Sequence, residues 1–273
     1  YSSAASDVYK RQKLYKDETF GTVTKTDIEG NIEFKNVTFA YPLTGDKKIL
    51  DNINLVIKPG ETIGILGETG CGKTSLINLI PRFYDVCEGS VLVDDIDVRE
   101  YNLKNLRERI SVALQKSEIF QSTIKENIQW GRENATNNDI ANAASIAQAM
   151  EFISTSTDGF DTLVTQQGTS LSGGQKQRIA ISRTILKQSE IIIFDDATSA
   201  LDLKTEASLY SMLKNAYPDT TKIIIAQRIA SVKDADRIVI LDDGHISAVG
   251  THEELLKNSA IYQDIYNSQL NKK

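Results

Sequence analysis

The chain has 273 residues, of which 40% are apolar and 25% charged, a composition typical of one large α/β domain or two small ones. Its 37 acidic and 31 basic residues leave a net charge of −6 without a long basic run, which argues against a nucleic-acid-binding protein. Two cysteines are too few for a disulfide framework and fit a reducing compartment, and no apolar run approaches the roughly 18 residues that a membrane-spanning helix needs.

The first residues differ in character from those that follow. Residues 1–12 (YSSAASDVYKRQ) lack the apolar segment of a signal peptide and resemble translated adapter or cloning sequence, so we expect a non-native tail. Residues 13–30 are polar and turn-rich, which predicts a linker from an upstream domain that is missing.

From residue 31 the apolar pattern predicts strands. Alternating apolar residues mark two strand regions, namely Ile32, Phe34, Val37 and Phe39 in the first and Ile53, Leu55 and Ile57 in the second. Residues 62–66 form a short apolar run typical of a buried strand. A glycine-rich turn and a helical run at 75–80 follow, and Pro81 is expected to end that helix.

Continuous apolar runs return at residues 191–194, 223–226 and 238–241. Such runs, bounded by turns and separated by helical stretches, are typical of parallel strands covered on both faces. Residues 116–187 between them carry mostly helical patterns, including 139–153 and 175–186. The sequence therefore predicts an α/β core with a helical subdomain inserted in its middle.

Residues 67–74 (GETGCGKT) fit the phosphate-loop pattern G-x-x-x-x-G-K-[ST], between a predicted strand and a predicted helix. The backbone N–H groups of such a loop form an anion site, which the positive end of the helix dipole reinforces. Lys73 would neutralise β- and γ-phosphate charge, and the Thr74 hydroxyl would bind Mg²⁺. The predicted nucleotide-binding residues are Gly67, Glu68, Thr69, Gly70, Cys71, Gly72, Lys73, Thr74 and Ser75. A glycine-rich turn that fits by chance is the alternative.

A phosphate loop needs a carboxylate for its metal at the end of a neighbouring buried strand. The run IIIFDD supplies Asp195 at that place, so Asp195 is a predicted Mg²⁺ ligand. A surface turn at Asp195 and Asp196 is the alternative.

Cys71 lies in the loop just before a helix N-terminus, a setting that lowers the pKa of a thiol and raises its reactivity. We therefore expect a reactive thiol that MgATP protects from maleimide. Burial of Cys71 under the loop is the alternative.

Residues 171–175 (LSGGQ), followed by a helix start with Lys176, Gln177 and Arg178, resemble the signature of ABC ATPases. With the phosphate loop, this motif identifies residues 31–270 as similar to an exporter-type ABC ATP-binding domain. The resemblance implies a P-loop NTPase (RecA-like) core with an N-terminal antiparallel β subdomain and an inserted helical subdomain at about 116–187. It also implies that the signature presents a serine, backbone amides and a helix N-terminus to ATP held by an opposing subunit. Those residues are Ser172, Gly173, Gly174 and Gln175.

The resemblance assigns roles to further positions. Tyr41, in FAYP, matches the aromatic residue that stacks on adenine, with a structural tyrosine as the alternative. Gln115, ending a predicted ISVALQ strand, matches the glutamine that reaches Mg²⁺ and senses the membrane domain. Asp202, in SALD, belongs to the loop that communicates across the dimer, and residues 120–128 match the surface that contacts a transmembrane coupling helix.

Three positions depart from the family pattern. Asp196 stands where hydrolysing relatives usually place the glutamate that acts as general base or orients water, and Gln227 stands where they carry a switch histidine near the γ-phosphate. Gln166 replaces an acid usual in exporters, and His245 and His252 match no catalytic position. Asp196, Gln227 and Gln115 are the candidate catalytic residues of a site that we expect to bind ATP better than it hydrolyses it.

The resemblance implies the ATP- and Mg²⁺-dependent motor of an exporter. Its expected partners are a transmembrane domain fused upstream and a second ABC ATP-binding domain in a different subunit. No nucleic-acid partner is expected, and the domain would lie at the cytoplasmic face of the cell membrane. Two alternatives remain: a regulatory module that binds ATP without significant turnover, and a soluble ABC ATPase that acts on nucleic acid or the ribosome.

Overall fold

Two sheets and their covering helices make up the part of the chain that the computed structural model describes, residues 21–42, 47–116, 118–165, 168 and 170–270. The strands are β1 (Ile32–Phe39), β2 (Leu50–Ile57), β3 (Thr62–Leu66), β4 (Glu88–Val93), β5 (Ile96–Asp97), β6 (Ile110–Ala113), β7 (Ile191–Asp195), β8 (Thr221–Ile225), β9 (Arg237–Asp242) and β10 (His245–Gly250). The α-helices are α1 (Lys73–Asn78), α2 (Leu103–Glu108), α3 (Ile124–Gln129), α4 (Asn137–Ile146), α5 (Met150–Thr155), α6 (Gly173–Leu186), α7 (Leu203–Ala216), α8 (His252–Asn258) and α9 (Ala260–Leu270). Residues 1–12, residues 13–20 of the predicted linker, and Gln166 lie outside the described residues.

The first sheet is antiparallel, in the order β2-β1-β4-β5. Ile32 of β1 pairs with Ile57 of β2 on one side and Val93 of β4 on the other, and all three are buried. The predicted alternation of apolar residues in β1 and β2 is therefore confirmed, because successive side chains of a strand point to opposite faces and the apolar set meets the core.

The second sheet has the order β10-β9-β3-β8-β7-β6, with the antiparallel β10 at one edge of a parallel set. Every residue of β3, β7 and β8 is buried, which explains their continuous apolar sequences. Since β8 lies between β3 and β7, the carboxyl ends of these three strands meet at one edge. The phosphate loop, Asp195 and Gln227 lie at that edge.

The predicted helix at 139–153 is wrong in one respect, because it is two helices. α4 ends at Ile146 and α5 begins at Met150, and Gln148 between them has a φ of +59°. A residue in the left-handed region cannot continue an α-helix, so the chain turns there. The predicted strand that would end at Gln115 is also shorter than expected, since β6 ends at Ala113.

Residues 21–30, the described part of the predicted linker, lie against the first sheet. Val23 bridges to Tyr101, and the Asp94 carboxylate accepts the backbone N–H groups of Glu29 at 2.7 Å, Gly30 at 3.0 Å and Asn31 at 2.8 Å. Asp94 is buried, and these bonds compensate the cost of desolvating its charge.

The observed architecture confirms the predicted α/β class, with an antiparallel β subdomain, a mainly parallel core sheet and helices inserted between β6 and β7. In the described ranges, every helix is too short or too polar to cross a membrane.

Candidate functional site

Glycines allow the phosphate loop to lie close to residues of both sheets. Gly72 has a φ of +106°, and a Cβ there would lie 2.8 Å from Leu50 Cδ2. A Cβ on Gly67 would lie 2.1 Å from the Leu241 carbonyl oxygen. Other residues would therefore displace the loop from its place above β3. Gly72 also precedes α1 without a side-chain cap, which leaves the first N–H groups of the helix available to an anion.

Lys73 curls over this loop. Its Nζ donates hydrogen bonds to the carbonyl oxygens of Gly67 and Glu68, both at 2.7 Å. The ammonium is therefore held beside the backbone that would receive the phosphates, and it supplies the positive charge of the site.

Thr74 and Asp195 meet as predicted for a magnesium site. The Thr74 hydroxyl donates to Asp195 Oδ1 at 3.1 Å, and the Asp195 side chain is buried. Burial raises the pKa of Asp195 above its ordinary value, and the neighbouring Asp196 charge adds to this rise. The Thr74 hydroxyl on α1 and the Asp195 carboxylate at the end of β7 are oxygen ligands of the kind that Mg²⁺ prefers, so the residues present fit this ion.

Asp196 connects three segments of the chain. It is buried, with a φ of +50°, and its Oδ2 accepts hydrogen bonds from Gln115 Nε2 at 2.8 Å and Gln227 Nε2 at 2.9 Å. The three residues that the sequence nominated as catalytic therefore meet at one carboxylate oxygen.

A cleft of about 320 Å³ joins these groups, within the size range of small-molecule sites. Its lining is Tyr41, Ile49, Thr69, Gly70, Gly72, Lys73, Thr74, Ser75, Gln115, Asp195, Asp196, Ile225 and Gln227. All but Ile49 and Ile225 were predicted site residues. Both of these are apolar residues next to or within a strand, and the sequence held no signal that they would border a cleft.

Tyr41 is the aromatic residue at one end of the cleft. Its hydroxyl lies 2.9 Å from Ser75 Oγ, and its ring packs edge-on against Phe39 and Tyr84 at centroid distances of 4.9 and 5.0 Å. These contacts fix the ring orientation and tie it to α1, which carries the phosphate loop's lysine.

The signature, residues 171–175, lies outside this cleft. Ser172 is the N-cap of α6, where its hydroxyl accepts the Gln175 N–H at 3.3 Å and Gln175 Oε1 accepts the Ser172 N–H at 2.9 Å. Ser172 and Gly173 are exposed, and among the described residues that line the cleft none comes from 171–175. The signature residues of this chain therefore lie outside the cleft that the phosphate loop lines.

Asp202 is also outside the cleft lining and acts as the N-cap of α7, accepting the N–H groups of Lys204 and Thr205. Gln177 links its loop to the signature helix, because Gln177 Nε2 donates to Ser199 Oγ at 3.1 Å and Gln177 Oε1 accepts the Ala200 N–H at 2.9 Å. The sequence placed Gln177 beside the signature but gave it no role.

The expectation of a low-pKa thiol at Cys71 is wrong. Cys71 is buried, and burial raises the pKa of its thiol even though Lys73 Nζ lies 3.8 Å from Sγ. The alternative weighed from the sequence, burial under the loop, is what the structure shows. Neither histidine lies in the cleft; His245 is exposed, and His252 Nδ1 lies 2.6 Å from Tyr262 Oη.

Cys71 is therefore expected to resist maleimide at neutral pH, because the thiolate is the reactive form and both burial and the raised pKa oppose it. A Cys87→Ser variant should incorporate almost no label, whereas the wild-type chain should label at the exposed Cys87. Mass spectrometry of intact protein measures this. Rapid labelling of the Cys87→Ser variant would contradict the buried placement.

Comparison with known proteins agrees with this geometry. Residues 50–199 match the family model described as ABC transporter. The chain is 41% identical over 270 residues to the ATP-dependent lipid A-core flippase of Hahella chejuensis, covering 98% of this chain and 46% of that protein. It is 40% identical over 262 residues to ABC transporter B family member 2 of Dictyostelium discoideum, covering 96% and 19%.

A solved bacterial Atm1-family ABC exporter with ATP bound superimposes with a TM-score of 0.88 at 33% identity, covering 97% of this chain and 47% of that one. The chain thus spans less than half the length of each of these relatives.

Proposed function

Because this chain belongs to the ABC transporter family, we propose that it binds MgATP and, paired head-to-tail with a second ATP-binding domain, powers export across a membrane. The observation that carries the proposal is the single cleft in which Tyr41, the phosphate loop, Asp195 and Gln115 converge. The relatives' names, a lipid A-core flippase and an exporter, support the transport role. The relatives are about twice as long as this chain or longer, which supports a fused transmembrane domain as partner and a place at the cytoplasmic face of the membrane.

Each cleft residue has a definable task. Backbone N–H groups of the loop and the Lys73 ammonium would bind the β- and γ-phosphates, and the Tyr41 ring would stack on adenine. Thr74 and Asp195, with Gln115, would hold Mg²⁺. When bound, the ion would neutralise phosphate charge and orient the terminal phosphate.

The separate, exposed signature supports the dimeric part of the proposal. Ser172, Gly173, Gly174 and Gln175 lie at the N-terminus of the 14-residue α6, which is an anion-binding arrangement without a phosphate loop of its own. In a head-to-tail pair this signature would complete the partner's site. The partner's signature would complete the cleft described here.

The environment of Asp196 supports slow hydrolysis in this chain's own cleft. Gln115 and Gln227 both donate to Oδ2, so two amide groups already occupy the carboxylate oxygen that a general base would present to water. Aspartate is also one methylene shorter than the glutamate of hydrolysing relatives, and a positioned base contributes roughly 10²–10⁴ in rate. We therefore assign this chain to the slow-hydrolysing half of a heterodimer, whose other subunit carries the competent site.

Replacing Tyr41 with alanine is expected to weaken MgATP and MgGTP binding similarly, by about tenfold, because stacking on a base depends little on its identity. Tyr41→Phe is the matched control, since it keeps the ring and removes the hydroxyl that contacts Ser75. Isothermal titration of both variants with both nucleotides measures the effect. Unchanged affinity in Tyr41→Ala would remove Tyr41 from the adenine site.

A further inference from the structure

The C-terminal helix α9 contacts the segment that borders the cleft. Gln269, near the end of α9, places its side-chain amide against the backbone on both sides of Arg228. Its Oε1 accepts the N–H of Ile229 at 2.9 Å, and its Nε2 donates to the carbonyl oxygen of Gln227 at 2.8 Å. One half-buried side chain therefore fixes two backbone groups of a single loop.

The loop that Gln269 holds leads directly into the site. Gln227 follows β8, lines the cleft, and donates through its side chain to Asp196 Oδ2 at 2.9 Å. The position of the Gln227 backbone therefore affects whether the Gln227 side chain reaches Asp196.

Arg228 holds the same loop from a different direction. Its guanidinium donates to the carbonyl oxygens of Thr198 and Leu201 and to the Glu206 carboxylate at 2.8 Å. These bonds attach the loop to the segment after β7. The Arg228 bonds do not involve the Gln227 carbonyl or the Ile229 N–H. The Gln269 side-chain amide provides the hydrogen-bond partner of each of these two backbone groups.

The N-terminal part of α9, opposite the end that carries Gln269, is packed against α8. Tyr262, Tyr266 and Gln269 stand at positions i, i+4 and i+7, which place them on one face of the helix. Tyr262 is fully buried, with its hydroxyl 2.6 Å from His252 Nδ1, and the Tyr266 ring also packs against the His252 ring. The helix is therefore fixed about two turns before the amide that touches the loop.

We infer that Gln269 is a positioning residue for the γ-phosphate side of the cleft, acting through the backbone of Gln227. The inference rests on the proposed function, because it assigns Gln227 to the end of the nucleotide that distinguishes ATP from ADP. The position of α9 is thereby coupled to nucleotide binding in the cleft. Displacement of the helix would break the hydrogen bond between Gln269 and the Gln227 carbonyl, and a shift of Gln227 on nucleotide binding would displace the helix.

The test uses the full 273-residue chain and two variants of Gln269. Gln269→Ala removes both hydrogen bonds. Gln269→Glu keeps an acceptor for the Ile229 N–H but cannot donate to the Gln227 carbonyl. Gln263→Ala is the matched control, because Gln263 lies on the same helix and donates its amide to the Leu256 carbonyl at 2.7 Å, away from the cleft.

Isothermal titration with MgATP and MgADP is the first measurement. Both Gln269 variants are expected to bind MgATP about three- to tenfold more weakly, the factor that one lost hydrogen bond produces, and to bind MgADP within about twofold of wild type. Gln263→Ala should match wild type with both nucleotides. If Gln269 had only a structural role, its substitution would weaken the binding of MgATP and MgADP equally or leave both affinities unchanged. Either result overturns the inference.

Hydrogen exchange of the Ile229 amide is the second measurement, and it needs no nucleotide. Exchange should accelerate about tenfold in Gln269→Ala and stay near wild type in Gln269→Glu, which retains the acceptor. Equal protection in all three proteins would overturn the contact itself. Failure of the wild-type chain to bind either nucleotide would contradict the proposed function instead, and the exchange result would separate the two failures.

Discussion

Replacing Lys73 with alanine is expected to reduce MgATP affinity by about 100-fold or more, which abolishes tight binding. The ammonium would contact two phosphates, and a hydrogen bond to a charged group is worth about 1.5–3 kcal/mol, with about 1.4 kcal/mol per tenfold in affinity. No other cation lines the cleft among the described residues, so nothing replaces the lost charge. Fluorescence or calorimetric titration with MgATP measures the loss.

Lys104→Ala provides the control for this loss, because Lys104 is largely exposed on α2 and only 4.0 Å from Glu108 in a weak ion pair. It should bind MgATP as the wild type does. Among the described residues, the Lys73 ammonium bonds only to carbonyls of its own loop and contacts the Cys71 sulfur. Thermal unfolding of Lys73→Ala should therefore remain cooperative. Near-normal MgATP affinity in a folded Lys73→Ala chain would contradict the phosphate-loop assignment.

The second large effect concerns the assembled heterodimer. Ser172→Ala is expected to lower steady-state ATP hydrolysis by about 10–100-fold, because the missing hydroxyl would have bonded the γ-phosphate in the partner's competent site. Asp196→Asn is expected to lower it by less than about twofold, since Asp196 lies in the slow cleft. The two substitutions thus separate the site that this chain completes from the site that it contains.

Ser172→Ala also removes a helix cap, which costs about 1 kcal/mol of stability, and the control must remove the same kind of cap. Thr136→Ala does so, because Thr136 forms a capping box with Asp139 at the start of α4 in the same helical region. Thr136→Ala should keep full ATPase activity. If Asp196→Asn is as damaging as Ser172→Ala, this chain's own site is catalytic and the slow-site assignment fails.

The sequence determined the phosphate loop, the strand-end carboxylates and the signature, because each depends on a fixed spacing of residue types within a short segment. Gly72, Lys73 and Thr74 could be assigned from eight consecutive letters, and Asp195 from a buried strand that ends in a carboxylate. The apolar periods likewise indicated β1 and β2 of the first sheet and β3, β7, β8 and β9 of the second, but not β4, β5 or β10. Period 2 and continuous apolar runs follow from exposure of a strand on one face or on none. A short sequence pattern was sufficient to predict these features because each depends on the backbone geometry of one short segment.

Only the tertiary structure decided what the side chains do to one another. Gln115, Asp196 and Gln227 are far apart in sequence, and their convergence on one carboxylate oxygen depends on the order β3-β8-β7-β6. The pKa of Cys71 was misjudged because burial under the loop, which no local pattern reports, outweighs the nearby Lys73 charge. Gln269 carried no signal at all, since an amide side chain on a C-terminal helix gains its role from the backbone that folding brings within 3 Å of it.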